Sequence, residues 1–437
     1  MSALRTNRFA RTQLGIECLQ ARVMPAVVAL QLDYDGDGGA DDIQIVGDSA
    51  KNFVSIQDNG TGTLIVSIDA NGDGDITDAN DLNNVAVNYS GNSVGIEVAL
   101  GSGNDSFTYT LGGNVSGGLR SLAVDLGTGN DVFTLAATGK NFVAGSRLDV
   151  DLIGGTGNDT ASVTVGQVLT SQAGIRFDLG TGNDIGSVKF ANIDNASSVD
   201  IDASLGDGAN SMTLDLDGVG KFNQANVTVS IVGGKNVDTV AVNLHDDIGG
   251  GTLASALLIN VALGDGNDAF TAGFDHSGLG FRVDNTSVAS IAVRGGNGND
   301  TLIAKGVGTP VPIRIDQDGL LDINLKGDAG DDTVNVDFGT QDALILEGSI
   351  RVVTDGGAGN DKVTALFANT AATTGKYDVT VLGGAGIDQV TFALATNGGT
   401  PTFGTLGKVV LNGGTGKDTL MNGNPGVSLA SFFETII

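Results

Sequence analysis

Tryptophan is absent from this chain of 437 residues, and tyrosine, histidine, proline and cysteine together number twelve. The single cysteine, Cys18, excludes an intrachain disulfide and leaves the redox compartment unreadable. The two histidines, His245 and His276, are unclustered and make neither a metal-histidine site nor a catalytic triad. Without tryptophan and with four tyrosines, the chain lacks the aromatic sugar platforms of glycan-cleaving grooves. No apolar run approaches the roughly 18 residues that a membrane-spanning helix needs. Positive charge is scarce: 22 basic against 51 acidic residues give a formal net charge of −29. That balance argues against nucleic acid and anionic membranes as partners. It also makes a compact chain repel itself, so divalent cations are the expected neutralising partner.

What the chain has in abundance is glycine, 69 residues, well above the usual fraction of about 7%. Between glycine clusters run short alternating stretches rich in Val, Ile, Leu and Ala, which predicts an all-β fold. One pattern repeats: a strand-like run, a G-x-G-N-D turn or a variant, then a second alternating run. Its last position, here termed the slot, is filled by Asp105, Asp131, Asp159, Asp184, Asn210, Asp238, Asp268, Asp300, Asp332, Asp361, Asp388 and Asp418. The intervals are 25 to 32 residues, as from Asp159 to Asp184 and from Asp268 to Asp300. Two residues after each slot stands an apolar side chain, Phe107, Phe133 and Phe270 among them; Gly186 is the exception. One copy cannot bury such a face alone, whereas stacked copies can. The expectation is a parallel β-solenoid, a β-helix or β-roll, of about twelve coils, with the slot aspartates in one column and the residues two beyond them inside.

The turns carry the candidate chemistry. Closely spaced glycines accept positive φ cheaply and let backbone groups line a concavity. A stacked carboxylate per coil would supply hard oxygen ligands for calcium. The segments Gly154 to Asp159, Gly295 to Asp300 and Gly356 to Asp361, with Gly383 to Asp388 and Gly413 to Asp418, resemble the hemolysin-type GGxGxDxUx repeats of the repeats-in-toxin family. Asp105, Asp131, Asp184 and Asp268 sit in L-G-x-G-N-D variants. The resemblance covers roughly residues 95 to 420. It implies calcium bound by turn carbonyls and by Asp105, Asp131, Asp159, Asp184, Asp268, Asp300, Asp332, Asp361, Asp388 and Asp418. The family's nonapeptides run in tandem, two per coil, whereas here each motif stands alone. The copies ending at Asn210, Asp238 and Asp332 are degenerate. The competing reading is a tight corner in which Asn and Asp cap backbone amides.

Two acidic loops lie upstream. Asp69-Ala70-Asn71-Gly72-Asp73-Gly74-Asp75-Ile76 resembles an EF-hand or dockerin loop, with oxygens at positions 1, 3 and 5 and glycine at 6. Its expected ligands are Asp69, Asn71, Asp73 and Asp75, closed by Asp81 because position 12 is Asn80. Asp33, Asp35 and Asp37 form a shorter loop of the same kind. Leu19 to Ala26 resembles the LExR-x-x-PA segment of planctomycete exported surface proteins, with Gln20 in place of the acid, and implies export.

The expected organisation is an export-like segment at 1–30, acidic-loop strands capping the solenoid at 31–94, the repeats at 95–420 and a terminal cap at 421–437. Gly91-Asn92-Ser93-Val94-Gly95 matches G-x-S-x-G, but no helical pattern follows to build a nucleophile elbow. Arg120, Arg147, Arg176, Arg351, Lys376 and Lys408 precede slots and suggest either a basic stripe for acidic glycans or charges that offset the acidic column. The functional expectation is a non-enzymatic, extracellular or cell-surface structural and adhesive protein ordered by calcium, with surface glycans or other surface proteins as partners. The alternatives are a polysaccharide lyase or epimerase on a β-helix, and a toxin-type secretion or folding module.

Overall fold

The computed structural model describes residues 28–32, 42–394 (apart from 79–80, 217–220, 245–246, 250–253, 275–280, 307–312, 340–343, 368–369 and 373–374), 407–422 and 435–436. The described residues contain strands and turns and no helix, so no helix crosses a membrane. The strands stack in parallel as a β-solenoid, the architecture the repeat predicts.

Each coil follows the same path. A strand such as Arg147–Ile153 lies in the first long sheet, paired in parallel with Leu119–Asp125 below and Gln172–Asp178 above. The turn 154–159 then carries the chain onto the second sheet, where Thr160–Leu169 pairs in parallel with Val132–Val143 and Ile185–Asp194. In the later coils a third face of short strands, such as Ile313–Ile315 and Leu344–Leu346, closes the cross-section. Register explains the sequence period. Phe107 pairs with Phe133, Val240 with Phe270 and Phe270 with Leu302, so each residue two beyond a slot stacks on its counterpart. Phe107, Phe133 and Phe270 are fully buried, as expected. Gly186 breaks the row because Met212 fills the gap: a Cβ there would lie 2.6 Å from the Met212 sulfur.

The solenoid begins earlier than the repeat suggests. Asp42–Val46 pairs in parallel with Val94–Ala99, and Phe53–Asp58 pairs in parallel with Ser106–Leu111. Residues 42–58 thus form a first coil whose turn keeps one glycine, Gly47, and lacks the later glycines of the repeat. An antiparallel excursion of Thr63–Asp69 and Leu82–Asn88 then folds over its edge strand. Such an excursion covers a sheet edge that would otherwise offer unpaired backbone groups.

This end is held by a buried polar knot. Asp58 accepts hydrogen bonds from Arg120 Nε at 2.5 Å, Tyr109 Oη at 2.5 Å, Tyr89 Oη at 2.8 Å and the Gly60 amide at 2.7 Å. Arg120 also donates to Tyr89 Oη and to the carbonyls of Asn92 and Leu119. Arg120 and Asp58 are shielded from solvent, so Arg120 belongs to no surface stripe. The remaining cations do not form a stripe either. Arg176 stands between Asp151 and Asp202, and Arg351 between Asp322 and Asp378, with Lys408 next in that row. Along these two rows acids and cations alternate, and the acids that the cations meet lie on the outer face and not in the slot column.

Candidate functional site

The twelve slots fall on successive coils and form one column. Each slot aspartate is buried, at 2% exposure or less. The column is built by two side-chain ladders that run in opposite directions. In one, a slot amide donates to the Oδ1 of the next slot: Asp131 to Asp159 at 2.8 Å, Asp159 to Asp184 at 2.8 Å, Asp300 to Asp332 at 2.7 Å. In the other, the residue before the slot donates its amide backwards: Asn158 to Asn130 Oδ1 at 2.7 Å, Asn183 to Asn158 Oδ1 at 2.7 Å. The N-D pair therefore clamps each turn to the coil above and the coil below. The glycines let the turns approach: a Cβ on Gly182 would sit 1.6 Å from the Gly157 carbonyl oxygen. The turn is a hydrogen-bonded corner in which Asn and Asp side chains accept backbone amides of the neighbouring coils.

The second carboxylate oxygen is the anomaly. Oδ2 of Asp105, Asp131, Asp159, Asp184, Asp268, Asp300, Asp332, Asp361 and Asp388 is buried and has no hydrogen-bond partner. Burial pushes these carboxyls above their ordinary range; backbone donors oppose the rise and neighbouring acids add to it. Asp159 and Asp332 reach about 7, and Asp131, Asp268 and Asp361 about 6. Asp238, in the degenerate turn, differs. Its Oδ2 accepts the Gly234 amide at 3.0 Å, and its Oδ1 accepts both the amide and Nδ2 of Asn210. Asp418 closes the column, its Oδ1 taking the Asp388 amide at 3.0 Å.

Calcium requires six to eight oxygens. In the column Oδ1 is committed to an amide, and some turn carbonyls accept inter-coil bonds, as Gly101 O from Thr128 N and Thr128 O from Gly103 N. Nine of the slot aspartates thus retain one buried carboxylate oxygen without a hydrogen-bond partner. Among the described residues no three acidic, histidine or cysteine side chains converge as a metal group.

One slot went unread in the sequence. Asn52 precedes Phe53–Asp58 and donates its amide to Asp105 Oδ1 at 2.7 Å, so it opens the column. Its turn, 47–52, keeps Gly47 and lacks the later glycines; the apolar Val54 and Ile56 were the available signal.

The loop between Thr63–Asp69 and Leu82–Asn88 differs from the column in being open. Asp69 accepts the amides of Gly72 and Gly74 at 2.7 and 2.8 Å, which folds the loop back on its first residue. Asp73 and Asp75 are exposed. Asp81 accepts the amides of Ala70 and Asp78, tying the loop's end to its start. Asn71 Nδ2 donates to Asp73 Oδ2 and to Asp78 Oδ2, both at 3.1 Å. A neutral amide thus draws two carboxylates together at the loop's centre. These donors are hard oxygens reachable by water, which suits calcium; Asp78 is a member that the spacing did not single out. Asp33, Asp35 and Asp37, the export-like segment and both histidines lie outside the described residues. Ser93 sits in a turn before the strand Val94–Ala99, its Oγ accepting the Leu119 amide at 3.1 Å, and no helix follows it.

No family model, curated protein or solved structure matches the chain.

Proposed function

We propose that this chain is a structural and adhesive rod of the cell exterior, with calcium ordering its first end through the loop from Asp69 to Asp81. The observation that carries the calcium reading is the convergence of Asp73 and Asp78 on one amide inside a solvent-open loop of hard oxygens. A cation would replace the amide hydrogens there, with Asp69, Asn71, Asp73, Asp75, Asp78 and Asp81 as its ligands. The repeated coils supply long flat faces for surface glycans or other surface proteins, and the alternating charge rows give those faces polar specificity. The glycine turns resemble hemolysin-type repeats in sequence. Export is supported by the segment Leu19 to Ala26 and by the net charge of −29.

The test is a calorimetric calcium titration of the full chain and of the double substitution Asp73→Asn, Asp75→Asn. The expected result is saturable binding in the range of about 10⁻⁴ to 10⁻³ M, characteristic of extracellular modules, and its loss in the variant. A folded wild-type chain that gives no binding isotherm up to millimolar calcium sinks the calcium reading. Surface labelling of intact cells with an attachment assay tests the exterior role separately.

A further inference from the structure

We infer that the outer face of the first long sheet carries a subsite for an acidic saccharide, a notch floored by Ala292 with Arg294 and Lys326 as its anion contacts. The subsite rests on the reading of surface glycans as partners and gives that reading a place and a charge.

Four neighbouring strands build the notch: Asn226–Val232, Ala256–Asp265, Val288–Asn297 and Leu320–Ala329, paired in parallel in that order. Alternate side chains such as Ile231, Val261, Val293 and Leu325 are buried in the core, so those between them face outward. One outward row reads Ser230, Asn260, Ala292 and Asn324, and the next reads Val232, Ala262, Arg294 and Lys326. The two alanines leave a depression of about 310 Å³ among longer neighbours. That is the small end of the range of about 300–1,000 Å³ that ligand pockets span. Asn260 and Asn324 stand one coil to either side of Ala292 and wall the notch. Asn324 Oδ1 is buried without a hydrogen-bond partner, so turning that amide towards a ligand hydroxyl gives up no bond of the oxygen.

Charge sets these four coils apart. Earlier coils of the same sheet face outward with Asp149, Asp151, Asp200 and Asp202. Here the outward positions of 226–232, 256–262, 288–294 and 320–326 hold two cations, Arg294 and Lys326, against one acid, Asp322. Asp322 is itself met by Arg351 at 3.4 Å. A chain of net charge −29 thus presents a locally cationic patch. Arg294 and Lys326 also stand directly opposite each other on adjacent strands, about 4.8 Å apart along the rod. Like charges in that arrangement are destabilising. Arg176 and Arg351, by contrast, have an acid on both sides in their rows. On the third face the in-register pair Arg282 and Arg314 shares Asp316. Arg294 and Lys326 share no acid: Asp328 lies 3.7 Å from Arg294, and Asp355 follows Lys326 in the row.

A bridging anion is what this pair lacks. A carboxylate or sulfate ester on a sugar supplies one, with the guanidinium offering a two-point contact and the ammonium a point charge. Asn260 and Asn324 then meet ring hydroxyls, and Ala262, Ala292 and Val232 meet the apolar C–H face of the sugar. Without aromatic platforms the binding is carried by charge at an open surface, so salt weakens it.

The experiment titrates the full chain in EDTA, which keeps the calcium loop out of the measurement. The probes are a short oligogalacturonate, a chondroitin sulfate oligosaccharide and neutral maltodextrin. The variants are Arg294→Ser, Lys326→Gln and Ala292→Leu, with Arg176→Ser as a cation removed elsewhere on the sheet. Urea midpoints establish that each variant is folded, and Lys326→Gln should be at least as stable as wild type because the opposed charges are relieved. At least one acidic probe is expected to bind more weakly as salt is raised, with maltodextrin left unbound; the tighter of the two identifies carboxylate or sulfate. Each notch variant should weaken binding by about tenfold or more, about 1.4 kcal/mol, and Arg176→Ser should leave it unchanged. Ala292→Leu keeps every charge, so its loss separates the notch from a diffuse cationic attraction. Acidic probes that bind the three notch variants as they bind wild type overturn the subsite and leave the glycan reading standing. Probes that bind no better than maltodextrin overturn the subsite as well. If no glycan binds while cells carrying the chain still attach, the glycan reading falls with it and the adhesive role remains.

Discussion

Gly186 and Met212 show how closely the coils are matched at single positions. The row two beyond the slots is apolar, and at Gly186 the side chain is missing because Met212 occupies the space from the coil above. Gly186→Val should therefore overpack the core, costing about 1–3 kcal/mol. In the double variant Gly186→Val, Met212→Ala most of that loss should be recovered, because the two volumes exchange. Urea midpoints of the two single variants and the pair check the coupling; additive losses would mean that the residues do not share the space. Glycine at Gly182 has a different origin. Its φ of 142° and the Gly157 carbonyl beneath it both exclude a side chain, so Gly182→Ala is expected to destabilise with no rescuing partner.

At the scale of elements, the first coil and its antiparallel cover depend on one buried ion pair. Arg120→Met removes the cation and leaves Asp58 uncompensated, and a loss of about 3–5 kcal/mol is expected. Replacing Asp58, Tyr89, Tyr109 and Arg120 together with apolar residues should cost far less, since no charge is then stranded. Thermal melts of the two variants distinguish a latch from mere packing. This knot also marks the limit of what the sequence reveals. The strands, the slot column and the buried phenylalanines were legible because period-two alternation and a fixed phase express local rules of burial. Asp58 and Arg120 are 62 residues apart and carry no spacing signal; only the folding of Thr63–Asp69 and Leu82–Asn88 over the end brings them together. The slot Asn52 was hidden for a related reason, because its turn meets the end of the stack and does not need the glycines that close approach demands elsewhere. The slot chemistry was only half legible. Asp and Asn at the turn predicted both a metal site and an amide cap, and the choice depends on which oxygen each coil's neighbours occupy.

For the molecule as a whole, the ladders determine how it responds to its surroundings. Each coil contacts its neighbours alone, so the rod gains or loses order coil by coil along one dimension. At about 4.8 Å per coil, a dozen coils make a rod on the order of 60 Å long. If the column were held by calcium, chelation would loosen that rod at any pH. Burial raises the slot carboxyls, Asp159 and Asp332 to about 7, so small-angle scattering in EDTA at about pH 5.5 should give the same maximum dimension and strand signal as in millimolar calcium. Raising the pH to about 8.5 without calcium ionises the buried slot aspartates, and net self-repulsion grows with them. The rod should then swell and unfold at lower denaturant. Calcium added at that pH should restore order around the loop from Asp69 to Asp81, while leaving the mid-column coils loose. Amide exchange read segment by segment separates two sites: protection that returns only at the loop places calcium there alone, and protection that returns along every G-x-G-N-D turn places it in the column as well.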